Sequence, residues 1–121
     1  MNLNNFTIKS QEAINKAVEI AGSLNQQSIE PAHILKGLFT EAENIISFLF
    51  KKLNVNVPVL QTILDRQIES YPKVSGGQPF LSPSANKAII EATNCIKEFG
   101  DEYVSAEHIL LGLLKCGDSV S

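Results

Sequence analysis

The hexapeptide His33-Ile34-Leu35-Lys36-Gly37-Leu38 returns 75 residues later as His108-Ile109-Leu110-Leu111-Gly112-Leu113. A repeated segment of this kind must build the same element twice and bury it in similar surroundings, which removes most folds from consideration. The match extends outward without a gap. Laying Phe6–Phe39 over Leu81–Leu114 pairs 34 positions, and eight are identical: Ala13/Ala88, Ile14/Ile89, Ala17/Ala92, His33/His108, Ile34/Ile109, Leu35/Leu110, Gly37/Gly112 and Leu38/Leu113. About two matches would coincide by chance at average composition. Phe6/Leu81, Thr7/Ser82 and Ile29/Val104 are alike in kind. The chain carries an internal duplication of a helical unit.

Within the first unit, Thr7 follows the apolar Phe6 and precedes a helical pattern, so it is expected to cap a helix, a contribution of about 1 kcal/mol. Ala13, Ile14, Ala17, Val18, Ala21 and Leu24 recur at three- and four-residue steps and mark one buried stripe. Its small alanines predict close approach to a neighbour. A second, short helix is expected from Glu30-Pro31, with proline at the first helical position where its missing N–H costs nothing. Gly37 inside that helix costs about 1 kcal/mol relative to alanine. Its repetition as Gly112 implies a tight backbone crossing in each unit. A third helix is expected over 43–53, too apolar for one face: it is either central or leaves Phe and Ile surface outside. A fourth is expected over 58–70.

Residues 71–80, with two prolines and Gly76-Gly77, read as a mobile connector. The pattern then restarts, with Ser82 as the cap, Pro83 at the first helical position, and Ser105 capping a copy of the short helix. No β signal of comparable strength appears. The expected fold is all-α, a pseudo-two-fold duplicated helical repeat in one domain over 1–121, with repeat 1 at about 6–70 and repeat 2 at about 81–121. Residues 43–70 have no full counterpart before Ser121, so the second repeat is expected to be truncated and the chain to be a fragment of a longer one.

Bulk properties remove several classes of function. A chain of 121 residues with 44% hydrophobic and 19% charged residues has the composition of an ordinary globular domain. No apolar run approaches the roughly 20 residues of a membrane span, and the N-terminus lacks the blocks of a secretory signal. With net charge −3 and no basic cluster beyond Lys51-Lys52, a nucleic-acid partner is not expected. Cys95 and Cys116 have no ligand spacing and read as small buried side chains, so nothing demands an oxidising compartment. The expected location is cytoplasmic and the expected state of the isolated domain monomeric.

The chain has no phosphate-binding loop, no His-Glu-x-x-His, no nucleophile elbow and no dinucleotide fingerprint. It is therefore not expected to be an enzyme by itself, nor to hold a metal or cofactor. The two histidines occupy the same place in each repeat, which points to a shared structural role, an imidazole hydrogen-bonding at a helix start while its ring packs. The repeats differ where Asp101 and Glu107 replace Gln26 and Ala32. Glu107 in a first helical turn is favoured by the macrodipole by about 0.3–1 kcal/mol, and Asp101 suits a solvated loop. Two carboxylates near one helix start also suit a basic or amide-rich partner.

The duplicated unit, Glu30-Pro31-Ala32-His33-Ile34-Leu35, and Val104-Ser105-Ala106-Glu107-His108-Ile109-Leu110-Leu111-Gly112-Leu113 together resemble the N-terminal domain of the Clp ATPases. Ile29 to His33, Leu53-Asn54-Val55-Asn56 and Tyr71 to Gly76 resemble its ClpB branch of protein disaggregases. The resemblance implies a parent that is a hexameric AAA+ ATPase requiring ATP and magnesium. This part would engage exposed segments of unfolded or aggregated polypeptide, and the family's substrate-handling positions fall on Thr7, Asp101 and Glu107. The alternative within the family is an adaptor-docking domain of a Clp protease ATPase of the ClpC or ClpA type. The Gly-Thr-Glu-His start usual in that branch is Glu-Pro-Ala-His in the first repeat here.

Overall fold

Each copy of the duplicated unit begins by hydrogen-bonding to the other. In the computed structural model, which describes residues 3–74, 76–99 and 102–115, the Thr7 N–H donates to the Val104 carbonyl at 2.9 Å. The Ser82 N–H, 75 positions on, donates to the Ile29 carbonyl at 3.0 Å. Phe6 pairs with Val104 in a parallel bridge, and Leu81 pairs with Ile29 in the same sense. These are the same contact made twice, in opposite directions, between the same two pairs of positions. The duplication in sequence is a pseudo-two-fold in space.

The helices are α1 (Ile8–Ser23), α2 (Pro31–Glu41), α3 (Glu43–Lys52), α4 (Val57–Ser70), α5 (Pro83–Phe99) and α6 (Ala106–Lys115). Two short strands, β1 (Ser28–Ile29) and β2 (Phe80–Leu81), form a parallel ladder in the register Ser28 opposite Phe80 and Ile29 opposite Leu81. The all-α expectation thus holds for the architecture, with this ladder and the matching Phe6–Val104 bridge as its additions among the described residues. None of those helices is long and apolar enough to cross a membrane.

Local chemistry fixes the helix ends. The Thr7 hydroxyl accepts from the Ser10 N–H at 3.2 Å, and the Ser82 hydroxyl accepts from the Ala85 N–H at 3.0 Å, so both predicted caps are present. Helix α1 ends in a Schellman turn: the N–H of Asn25, at φ 56°, donates to Gly22, and that of Gln26 to Ala21. Asn54, at φ 60°, ends α3 in the same way. Asparagine tolerates this left-handed conformation better than other residues with a side chain.

Helix α1 packs on α2, and α5 packs equally extensively on α6. At each crossing a glycine meets two alanines. A methyl group placed on Gly37 would collide with the Ala13 carbonyl oxygen and sit 3.2 Å from the Ala17 nitrogen. On Gly112 it would collide with the Ala88 carbonyl oxygen and sit 3.0 Å from the Ala92 nitrogen. Around these crossings Ile14, Ile34, Leu35, Leu38, Ile109 and Leu113 form one continuous core. Seven of the eight identical pairs are thereby accounted for by packing. Cys95 is a free thiol buried in helix α5, as its pattern predicted, while Cys116 lies outside the described residues.

Gly37→Ala is expected to destabilise the chain by about 1–3 kcal/mol, because the atom in the way is backbone and cannot step aside. Gly22→Ala, at a position with nothing near the added methyl, is expected to stabilise by up to about 1 kcal/mol. Urea unfolding midpoints of the two variants check the pair, and equal effects would refute the tight-crossing account.

Candidate functional site

The two histidines sit in matching places, each reaching back from the third residue of its helix to the chain just before it. His33 Nδ1 accepts from the Glu30 N–H at 2.9 Å, and His108 Nδ1 accepts from the Ser105 N–H at 2.9 Å. Both rings are buried. This is the structural role expected from their shared register. No group of three or more His, Cys, Asp or Glu side chains able to hold a metal occurs among the described residues.

In the first copy the imidazole anchors a longer connection. His33 Nε2 lies 2.6 Å from Gln26 Oε1, and Gln26 Nε2 donates to the Ile68 carbonyl at 2.6 Å. With Nδ1 accepting, the ring is the neutral tautomer carrying its proton on Nε2. Burial pushes the imidazole below its ordinary value of 6.5, and the nearby Glu30 carboxylate pulls the other way without cancelling it. The Tyr71 ring stands tilted against His33, with centroids 5.4 Å apart. The start of α2, the end of α1 and the end of α4 are therefore tied by one buried polar bridge. Asp101 holds the sequence position of Gln26 in the second copy, and it lies outside the described residues.

Thr7 is joined at the inter-copy bridge to the lead-in of α6, the helix that carries Glu107. The backbone of Thr7 is bonded to Val104, and the chain from Val104 runs directly into α6, where Glu107 is exposed in the first turn. Buried Ser10 reinforces the junction: its hydroxyl lies 2.7 Å from the Val104 carbonyl oxygen. Thr7 itself is half-buried, and its hydroxyl donates to Ser10 Oγ at 2.9 Å. Thr7 is thus held by its capping work, whereas Glu107 projects freely outward and contributes negative charge at a helix N-terminus.

The apolar surface is the part that sequence reasoning did not place. Helix α3 buries Ile46 and Phe50 but leaves Ile45 and Phe48 outside, the second of the two arrangements expected for it. Phe48 is 53% exposed beneath the Lys52 ammonium, and Ile63 on α4 is 54% exposed. On the opposite copy, Phe80 in β2 is 51% exposed beside a groove of about 400 Å³ lined by Val18, Ile29, Pro79, Phe80, Leu81 and Asn86. Phe80 occupies the register position of Asn5. An aromatic in place of asparagine, one residue before the duplicated segment, is the signal the sequence carries for it.

Comparison with known proteins gives a consistent picture. The family model "Clp repeat (R) N-terminal domain" matches residues 5–121. A protein of Bacteroides thetaiotaomicron named chaperone protein ClpB is 54% identical over 121 residues, all of this chain and 14% of its own length. A chaperone protein ClpB of Porphyromonas gingivalis is 45% identical over 114 residues, 94% of this chain and 13% of its length. The chain thus spans about one seventh of the relatives it matches. Among solved structures, the Hsp104 N-terminal domain from Candida albicans superposes with a TM-score of 0.79 at 24% identity, covering 97% of this chain and 85% of that one. That last likeness concerns the fold alone.

Because the folded state holds His33 neutral, its contribution to stability is full above about pH 6.5 and falls as the pH drops through the lowered folded value. The wild-type chain is expected to lose stability relative to His33→Gln as the pH falls below about 6.5, read as converging urea midpoints. An imidazole titration of His33 with a midpoint above the ordinary value would contradict the buried, neutral assignment.

Proposed function

This chain belongs to the Clp repeat N-terminal domain family, and we propose that it is the substrate-engaging domain of a ClpB-type ATP-dependent disaggregase, binding exposed segments of unfolded or aggregated polypeptide. The observation that carries the reading is the exposure of large apolar side chains on an otherwise well-packed fold. Phe48, Ile63 and Phe80 each leave more than half of their surface exposed. Exposed apolar clusters mark interaction sites, and accessible apolar stretches are what distinguish unfolded chains from folded ones. Glu107, exposed at the start of α6, adds a carboxylate that selects basic or amide-rich segments flanking the apolar ones. Asp101 is assigned to the same role, as is Thr7 through the surface its cap shapes.

In this reading the domain is a peripheral, cytoplasmic part of a hexameric AAA+ ring. The nucleotide chemistry, ATP with magnesium, belongs to modules outside this chain, whose own residues supply no phosphate loop. The domain's contribution is capture and release. Both must be rapid, and shallow apolar contacts supplemented by surface carboxylates fit that need better than a deep pocket.

A second reading, adaptor docking as in a Clp protease ATPase of the ClpC or ClpA type, is favoured by one feature. Ile45 and Phe48 on α3, with Val59 and Ile63 on α4, are all exposed on two consecutive helices, a surface that a folded partner's helix could cover. The two readings differ in what binds. Titration of the chain with a reduced, carboxymethylated test protein and with its folded form is expected to shift amide resonances near Glu107 with the unfolded form alone. Glu107→Ala is expected to weaken that binding about threefold or more with a nearly unchanged melting temperature, since the side chain is exposed and its helix-dipole contribution is small. Binding only by a folded protein would favour the adaptor reading.

A further inference from the structure

The two copies share their pairing but not their outer edges. In each parallel bridge, Val104 and Ile29 take up the inter-copy bonds, so the paired residues Phe6 and Leu81 turn their own N–H and C=O groups away from the ladder. At Phe6 both outward groups are consumed within the chain. Its N–H donates to the Leu3 carbonyl at 3.0 Å, and its carbonyl accepts from Gln11 Nε2 at 3.0 Å.

At Leu81 neither plug exists. The register counterpart of Gln11 is Asn86, one methylene shorter and exposed, and no described residue hydrogen-bonds the outward N–H or C=O of Leu81. The groove between α1, α5 and β2 opens at this place, with Asn86 on its rim and Val18, Ile29 and Leu81 in its wall. Phe80 stands exposed where the first copy has Asn5, and Ile90, one turn beyond Asn86, is exposed where the first copy has Asn15. The second edge is thus open and apolar at the positions where the first is closed and polar.

A single residue offering both an N–H and a C=O to a ligand, flanked by apolar side chains, matches an extended polypeptide and little else. We propose that the Leu81 edge of β2 docks an extended apolar polypeptide segment as an added third strand. In antiparallel addition one residue of the segment exchanges both hydrogen bonds with Leu81, and the side chains of its neighbours lie against Phe80 and in the groove. The inference deepens the substrate-engaging reading and rests on it, assigning the site and the mode of capture.

The test uses the labelled 121-residue chain and a blocked peptide of about seven alternating valine and threonine residues. Saturating peptide is expected to slow hydrogen exchange of the Leu81 amide about tenfold or more while leaving the Phe6 amide unchanged. The same peptide N-methylated at every amide is expected to bind about tenfold more weakly, having lost its donors. Asn86→Gln restores to Leu81 the plug that Gln11 gives Phe6, and is expected to weaken the unmodified peptide about fivefold. Binding of the peptide, or of the carboxymethylated test protein, with Leu81 exchanging as in the free chain would overturn this site while sparing the substrate-engaging reading. Absence of binding by both would overturn the two together.

Discussion

The close approach of two backbones at Gly37 and Ala13, repeated at Gly112 and Ala88, is the constraint on which the rest of the structure hangs. It sets the separation of α1 from α2 and of α5 from α6. That separation in turn decides where the lead-in to each helix lies. With both pairs held this tightly, the Phe6 segment pairs with Val104 and the Leu81 segment with Ile29. A helix glycine is locally unfavourable by about 1 kcal/mol, so its recurrence is explained only by the contact it permits. The alanines opposite it are selected for the same reason. Their carbonyl and amide groups, not their methyls, are what the glycine faces.

Joined in this way, the copies share one core but carry separate polar locks. His33 and His108 each replace a missing helix-start acceptor with an imidazole nitrogen, which lets a buried ring satisfy a backbone N–H. In the first copy the lock extends through Gln26 to the last turn of α4. Gln26 points inward because Asn25 adopts the left-handed conformation that closes α1. A buried amide bonded at both ends is favourable only while both partners remain in place. The helices of the first copy therefore hold together through geometry that depends on a neutral ring.

Much of this was legible in the sequence because it is local or periodic. The alanine stripe, the Thr7 and Ser82 caps, proline at the start of α2, and the paired glycines all announce themselves within a few residues of where they act. The β ladder did not, because two residues per strand carry no period and the strands exist only once the copies are docked. The Gln26–His33–Ile68 bridge was hidden for a related reason: its members are brought together by a turn and by packing across 42 residues. Of the candidate site, Glu107 stands out in the sequence as a carboxylate present in one copy only, and in the fold it is exposed in the first turn of α6. The exposed face of α3 is not legible in the same way, since composition does not say which side of a helix meets the core.

Duplication explains why the outside can change so freely. Once the crossing, the core and the reciprocal bridge are fixed by one set of residues used twice, the edges no longer bear on stability and can diverge independently. Gln11 against Asn86 differs by a single methylene, yet in one copy it reaches the outward carbonyl and in the other it leaves that carbonyl to solvent. An edge of one residue makes only two backbone hydrogen bonds, each worth about 0.5–1.5 kcal/mol net. Alone that is too little to hold a partner. Beside exposed Phe80 and Ile90 it is enough to favour extended chains over folded ones, because folded proteins keep such backbone groups paired. Weakness is then a property of the design: a surface that selects by backbone availability and grips by a few apolar contacts discriminates by conformation while leaving its ligand easy to surrender.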